Sequence, residues 1–391
     1  MAKDSLYRDR NLQVIFGVTL MAVLGVTSIT PAFPSIMREL GITGSQVGLL
    51  ITSFTLPGVI LAPFLGVLAD RFGRKKILVP SLFLFAIAGT ACTFIRNFNT
   101  LLIMRALQGT GAAALGSITG TLIGDLYSGK QRAEAMGLNA SVLSIGVALY
   151  PLIGGALALL GWYYPFTLSI IAVPIGILVL TLLRNPEPRN SQGLRQYLGG
   201  ALGCLNNLRV AGLFAAGVLT FIILYGAYLT YLPLLLEESF STSPFTIGIV
   251  MSSMSLTTAA VASQLGRINR WLSLLTIIKL SFAIYALALV LIPLMPTLWL
   301  LLIPTVLFGI AQGASLPSIQ TAVAGIAPLE YRAAFMSINT TMLRLGQTIG
   351  PLLMGLVYAY RGLDATFFTT AALALIAPVI AIAFRREKRV S

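Results

Sequence analysis

Six stretches of this chain contain no charged side chain: Asn11–Met37, Leu40–Ala69, Ala135–Leu183, Val210–Leu236, Ser239–Gly266 and Leu280–Leu329. The shortest is 27 residues and the longest 50. A soluble element that long must wet one face with charge, whereas a helix crossing a bilayer needs about 20 apolar residues and no charge. The chain therefore reads as a polytopic helical membrane protein. Composition agrees: 10% of its 391 residues are charged, against about 25% in soluble domains. The sequence has no histidine, which removes imidazole acid–base chemistry, haem and histidine-ligated metal sites. Cys92 falls in an expected span and Cys204 in a linker, so neither a disulfide framework nor a Cys₄ zinc site is available. The hydrolase elbow G-x-S-x-G is absent as well. No cofactor, metal or enzyme activity is expected; such a chain moves something.

The two longest runs each hold two helices, folding back near Gly161–Pro165 and near Pro293–Pro296. Two further spans carry one charge each, Arg105 and Arg344, and with Ile77–Ile95 and Ala365–Phe384 the expected total is twelve. An even count places both termini on one side. Of 26 basic residues, 20 fall on that side, including Arg71, Arg74, Lys75, Lys76, Lys130, Arg132, Arg267, Arg270 and Arg332. Only Arg38, Arg96 and Arg361 lie opposite. This positive-inside bias makes both termini cytoplasmic. The net charge of +14 is thus topology, and no nucleic-acid partner is expected. The first apolar run continues into a full span, so no cleavable signal peptide is expected.

The polar stretch Asn185–Asn207 divides the chain into an N-terminal bundle (1–184), a cytoplasmic linker (185–208) and a C-terminal bundle (209–391). The two bundles are a repeat. Shifted by 200 residues, Leu107–Gly155 matches Leu307–Gly355 at 13 of 49 positions without a gap, among them Arg132/Arg332, Asn139/Asn339, Gly146/Gly346, Pro151/Pro351 and Gly155/Gly355. Two parallel six-helix bundles, related by an axis along the membrane normal, form a transporter architecture with substrate bound between them near the midplane.

The loop after the second span reads GVLADRFGRKKIL, Gly66 to Leu78. Gly66 allows close helix approach and Gly73 a tight turn. A solvated basic loop would need neither these glycines nor Asp70. The string resembles the signature loop of the major facilitator superfamily along its whole length, and the resemblance extends over all twelve spans. In the second half Gly266 to Arg270 keeps the glycine and lacks the acid. Span four, Arg105 to Asp125, is similar to the family's R-x-x-Q-G motif through Arg105, Gln108 and Gly109, which implies proton transfer at the arginine. By the same resemblance Asp125 pairs with Arg74 and, together with Asp70, latches the outward-open state. From the residues alone, Arg105 either points into the bundle or a wet cavity, or snorkels to the outer interface. Gly116, Gly120 and Gly124 recur every four residues and should turn a smooth strip to a neighbouring helix.

Span five resembles the exporter motif of the superfamily ending G-P-x-x-G-G. Gly146, Pro151, Gly154 and Gly155 fit it, while Tyr150 stands where the motif has glycine. The resemblance favours export over uptake. Span eleven repeats span five, with Arg344 where Ser144 stands. Arg344 lies about 18 Å past Arg332 at the helical rise, beyond halfway across a ~30 Å core, where snorkelling is difficult. Pairing or substrate binding is the expected role. On span seven Tyr225 and Tyr228 share one helical face, either packing or lining a cavity for a partly apolar substrate. The candidate substrate-binding set is Arg105, Gln108, Asn139, Tyr225, Tyr228, Arg344 and Gln347.

Proton-driven exporters need a titratable group exposed alternately to each side. Span one, Val18–Ile36, carries no acid, and all twelve acidic residues lie at or near the interfaces. Asp70 is then the candidate proton carrier, coupled to Arg74 and Asp125, with Arg105 assisting. Desolvated arginines favour anions, so neutral drugs, organic anions or amphiphiles with an anionic head are expected before hydrophobic cations. The chain is expected to be a monomeric, multi-pass protein of the cytoplasmic membrane that exports drug-like or amphiphilic small molecules in exchange for protons. An uncoupled or substrate-coupled carrier of an organic anion or lipid head group is the alternative.

Overall fold

The computed structural model describes residue 6 and residues 8–184, 208–326 and 332–383. Helices fill these segments, and no strand occurs among the described residues. Ten helices are long and apolar enough to cross a membrane. In the first half they are α1 Arg10–Leu40, α2 Gly44–Ala62, α3 Arg74–Phe94, α4 Phe98–Leu126, α5 Gly129–Ala158 and α6 Tyr164–Leu182. The second half contributes α7 Val210–Phe240, α8 Pro244–Ile268, α9 Leu274–Leu294 and α10 Leu302–Ile326. The helical run Arg332–Ala383 is 52 residues, about 78 Å of helix and far too long for one crossing. Gly362, at φ 78° and ψ −170°, breaks it into α11 (332–361) and α12 (363–383). Six long helices thus precede the expected linker and six follow it. Linker residues 185–207 and the side chain of Asp70 lie outside the described residues.

The connections are short because the sequence caps and breaks the helices locally. Asp9 Oδ1 accepts from the backbone of Asn11 and Leu12 at the start of α1, and Asn97, Ser243 and Ser273 cap α4, α8 and α9 in the same way. Gly73, at φ 100°, turns the chain between α2 and α3, the conformation its place in the loop called for. Pro80, Pro151, Pro233 and Pro317 lie inside helices, as neighbours in a membrane bundle permit.

The helix bundle has a hydrocarbon-facing exterior. Ile87, Ile103, Leu256 and Leu287 are exposed on it. Trp271 at one end and Trp299 and Tyr360 at the other are exposed by 88%, 76% and 86%, where interfacial aromatics anchor a membrane protein. The end holding Trp271 also holds Arg74, Lys75, Arg132, Arg184 and Arg267; it is called the basic face below, and its opposite the far face.

Glycines set the closest helix approaches, and the two halves repeat them. A Cβ on Gly109 of α4 would lie 1.9 Å from the Phe54 carbonyl oxygen of α2, and one on Gly309 of α10 would lie 2.6 Å from that of Met254 on α8. The 200-residue offset seen in the sequence is thus an offset in space.

Candidate substrate site

The halves meet along two seams that start at the far face. In the α5/α8 seam a Cβ on Gly155 would sit 2.3 Å from the Pro244 carbonyl oxygen, and one on Gly248 would sit 2.4 Å from that of Pro151. The α2/α11 seam is its pseudo-symmetric mate, with Gly48 against Pro351. There the Thr52 hydroxyl donates to the Thr348 carbonyl at 3.1 Å, and the Thr348 hydroxyl donates to Thr55 at 2.9 Å. Arg38 pairs with Glu237 across the far-face ends of α1 and α7, and the Tyr231 hydroxyl donates to the Gly44 carbonyl at 3.2 Å. The side-chain hydrogen bonds and the ion pair that join described residues of the two halves lie from this face down to Arg344. Beyond that level Gly66, Gly120, Gly137, Gly266 and Gly325 have no atom within 4 Å of where a Cβ would stand. The molecule is closed at the far face and cleft at the basic face.

Arg344 marks the boundary. Its side chain reaches from α11 across to the first half, where Nη2 donates to the Ala113 carbonyl of α4 at 3.3 Å. A Cβ on Gly58 would lie 2.2 Å from Nη1, so the glycine in α2 is what makes room for the guanidinium. Gly116 of α4 is exposed and lies beside Nη2, its Cβ position 3.5 Å away. One edge of the guanidinium therefore borders the open cleft. No carboxylate pairs with Arg344 among the described residues.

The other arginine inside the membrane is placed differently. Arg105 is fully buried within the first half, its guanidinium 4.3 Å from the Phe54 ring centroid. Nε donates to the Leu50 carbonyl at 3.2 Å and Nη1 to Gln108 Oε1 at 2.6 Å. Gln108 in turn donates to Ser169 of α6 at 2.9 Å, and Gly89 leaves space for that contact. Neither Arg105 nor Gln108 reaches the cleft in this conformation, and Arg105 does not snorkel. The network locks α2, α4 and α6 together. A cation whose donors find a carbonyl, an amide and two aromatic faces is held in place by the bundle, a solution the linear motif does not reveal.

The tyrosines of α7 also separate. Residues Ile222–Tyr228 form a π-helix, whose wider turn rotates Tyr228 away from Tyr225. Tyr228 is fully buried and stacks on Phe308 at 4.4 Å inside the second half. Tyr225 is half-buried, stacks on Phe221 at 5.7 Å and lies within electrostatic reach of Arg344. The Tyr225 carbonyl freed by the π-turn accepts from the Thr230 hydroxyl at 2.6 Å.

Asn139 accepts from the Thr19 hydroxyl at 2.7 Å and ties α1 to α5, while Gln347 is half-buried on α11. Arg74 and Asp125 form an ion pair of 2.5 Å between α3 and α4, both in the first half, while the basic face stands open. The pair alone therefore does not bridge the halves. Gly66 has open space beside it where close helix approach was expected, and of the Gly116, Gly120 and Gly124 strip only Gly116 meets the other half. In α5, Gly146 packs on Leu20, Gly154 on the Ser28 backbone of the same half, and Gly155 on the other half. The sequence reading did not pick out Gly58, Ala113, Phe221, Thr348 or the Arg38–Glu237 pair. Gly58 carried a usable signal, since the 200-residue offset sets it against Thr258 and sets Arg344 against Ser144.

Two parallel helical halves, closed over a central cleft at one face and open at the other, define a membrane transporter. Residues 15–292 and 213–391 match the family model of the Major Facilitator Superfamily, and the chain belongs to that superfamily. It is 26% identical over 388 residues to the quinolone resistance protein NorA of Staphylococcus aureus (strain COL), covering 97% of this chain and 98% of NorA. Over 164 residues it is 35% identical to the bacillibactin exporter of Bacillus subtilis (strain 168), covering 40% of this chain and 41% of the exporter. The solved structure of the nucleoside transporter NupG superposes with a TM-score of 0.80 at 16% identity, covering 97% of this chain and 99% of NupG.

Proposed function

We propose that this chain exports drug-like or amphiphilic small molecules across the cytoplasmic membrane by alternating access, in exchange for protons. The observation that carries the reading is the one-sided closure: glycine and threonine seams shut the far face, and the cleft opens at the basic face. By the positive-inside bias the basic face, with both termini, is cytoplasmic, so this is the form that loads from inside. The relatives named as a quinolone resistance protein and a bacillibactin exporter support outward transport. Each half has its own glycine-set helix packing, so one chain supplies the whole pathway and acts as a monomer. Asp70, coupled to Arg74 and Asp125, is the proposed proton carrier.

Proton flux in proteoliposomes under an imposed pH gradient tests this, with cationic, neutral and anionic amphiphiles supplied in turn. Substrate-triggered proton release that disappears in Asp70→Asn supports the antiporter. Anion transport without proton movement, abolished by Arg344→Ala, refutes it and leaves an uncoupled carrier of an organic anion or lipid head group. The lack of a central acid is the sequence feature on the side of that second reading.

A further inference from the structure

We infer that Arg344 is a receptor for an anionic group on the transported molecule, with Tyr225 taking an aromatic ring beside it. The substrate class is then an aromatic acid or an amphiphile with an acidic head. The inference rests on the reading that small molecules move through the cleft between the halves.

A guanidinium carries five N–H donors, yet among the described residues the one hydrogen bond Arg344 donates is to a neutral carbonyl at 3.3 Å. Inside a membrane such a cation is costly unless it is paired. Arg105 shows how this chain holds a cation it keeps for structure: full burial, a short bond to an amide oxygen and an aromatic face at 4.3 Å. Among the described residues Arg344 has none of these, and one edge of it lies against exposed Gly116 at the inner end of the cleft.

The repeat shows that the arrangement is particular to one seam. Gly48 on Pro351 and Gly248 on Pro151 are the same contact in the two seams. Ten residues further along α2 and α8 the offset matches Gly58 with Thr258, and on α11 and α5 it matches Arg344 with Ser144. Among the described residues Ser144 bonds back to its own helix, at the Ala140 carbonyl. In the α2/α11 seam alone a cation projects across the interface, and a glycine has opened the slot it needs. Packing alone would be served by a small residue, such as the serine at the matching position of α5.

Tyr225 of the second half lies within electrostatic reach of this charge and is presented by a π-turn, a distortion that recurs at functional sites. It backs onto Phe221 and keeps part of its surface free. A carboxylate on Arg344 and a ring against Tyr225 would bring a planar acid to the point where both halves touch.

Three probes with one ring system test this: 1-pyrenebutyrate, 1-pyrenebutanol and 1-pyrenebutylamine, binding to the full chain in nanodiscs, with empty nanodiscs subtracted. Wild type should bind the acid about tenfold or more tighter than the amine, as expected for charge-assisted hydrogen bonds to a desolvated arginine. Arg344→Gln should bring the two within about twofold while leaving the alcohol unchanged, and Arg344→Lys should keep part of the preference. Tyr225→Leu should weaken all three alike. Equal or tighter amine binding by wild type overturns the inference, whatever the variants do, and so does an acid preference that survives Arg344→Gln. Proteoliposome uptake separates the two readings. Movement of the alcohol and amine but not the acid refutes the anion site and leaves transport standing. An acid that binds as expected while none of the probes moves refutes transport and leaves the anion site.

Discussion

Replacing Gly155 by alanine should push the molecule out of the form seen here. The new Cβ would stand 2.3 Å from the Pro244 carbonyl oxygen, 3.0 Å from its carbon and 3.1 Å from Phe245 Cα. All three are backbone atoms that cannot rotate aside. Restoring ordinary contact, which begins near 3.4 Å, requires the α5/α8 seam to part by about 1 Å. Overpacking of this kind costs about 1–3 kcal/mol. Pro244 belongs to the other half, so the cost falls on the far-face-closed form and vanishes once the halves separate there. The equilibrium then moves by about 5- to 150-fold toward the far-face-open form. Thr230 reports it: the residue is fully buried, and its methyl lies 3.5 Å from the Gly48 Cβ position on the opposite half. In a background with Cys92 and Cys204 replaced by serine, the alkylation rate of Thr230→Cys should rise by that factor over the wild-type rate. Gly154→Ala is the comparison. Its Cβ would strike Ser28 O at 1.8 Å, within the same half, so it strains both forms. A rate unchanged by Gly155→Ala, or raised as much by Gly154→Ala, would refute steric closure of this seam.

Gly58→Ala places a Cβ 2.2 Å from Arg344 Nη1 and should cut the initial rate of anionic-probe uptake about tenfold, whereas Gly116→Ala, at 3.5 Å, should stay within about twofold. Arg105→Ala leaves the Leu50 carbonyl and Gln108 Oε1 without donors in a sealed bundle, at about 1–3 kcal/mol each. Its unfolding midpoint in detergent should fall by about 5 °C or more, measured on purified protein. The Arg74–Asp125 pair is 13% and 35% exposed, so a double-mutant cycle on thermal stability should return about 1 kcal/mol or less and shrink in high salt. Exchanging the charges as Arg38→Glu with Glu237→Arg should restore the slow Thr230→Cys alkylation that either single change speeds up.

The architecture was legible because two of its causes are written in one dimension. Charge-free length dictates spans, and the 200-residue offset dictates two like halves; both recur in space, down to Gly109 on Phe54 and Gly309 on Met254. The turn at Gly73 was legible for the same reason, since a positive φ is a local demand. Side-chain environments were not. Arg105 and Arg344 look alike in sequence, each a lone cation in an apolar run, but what encloses Arg105 comes from Phe54, Leu50 and Ser169, residues 51 to 64 positions away. Tyr225 and Tyr228 share a face only if α7 keeps α-helical bonds throughout, and its π-turn removes that premise. Gly66 and the Gly116–Gly124 strip read as packing surfaces because a glycine spacing does not say whether the close partner is a neighbour in the same half or a surface across a cleft.

The two seams also differ in what parting them would break. Across α5/α8 the closest approaches are glycine Cα against proline backbone, which have no polar bond to break when the halves part. Across α2/α11 the seam is wetted by Thr52, Thr55 and Thr348 and ends in a cation. In the alternating-access reading, parting α2 from α11 withdraws Arg344 from the Gly58 slot and breaks its bond to the Ala113 carbonyl. An uncompensated guanidinium then resists the motion of an empty carrier. A bound anion supplies a stronger acceptor than that carbonyl and travels with Arg344, so it lowers the cost of leaving the closed form only when it is present. A ligand shifts a conformational equilibrium solely through its different affinity for the two forms, and here the difference comes from one bond that the empty carrier must lose and the loaded carrier replaces. On that reading, movement toward the far-face-open form depends on cargo without any carboxylate in the middle of the membrane.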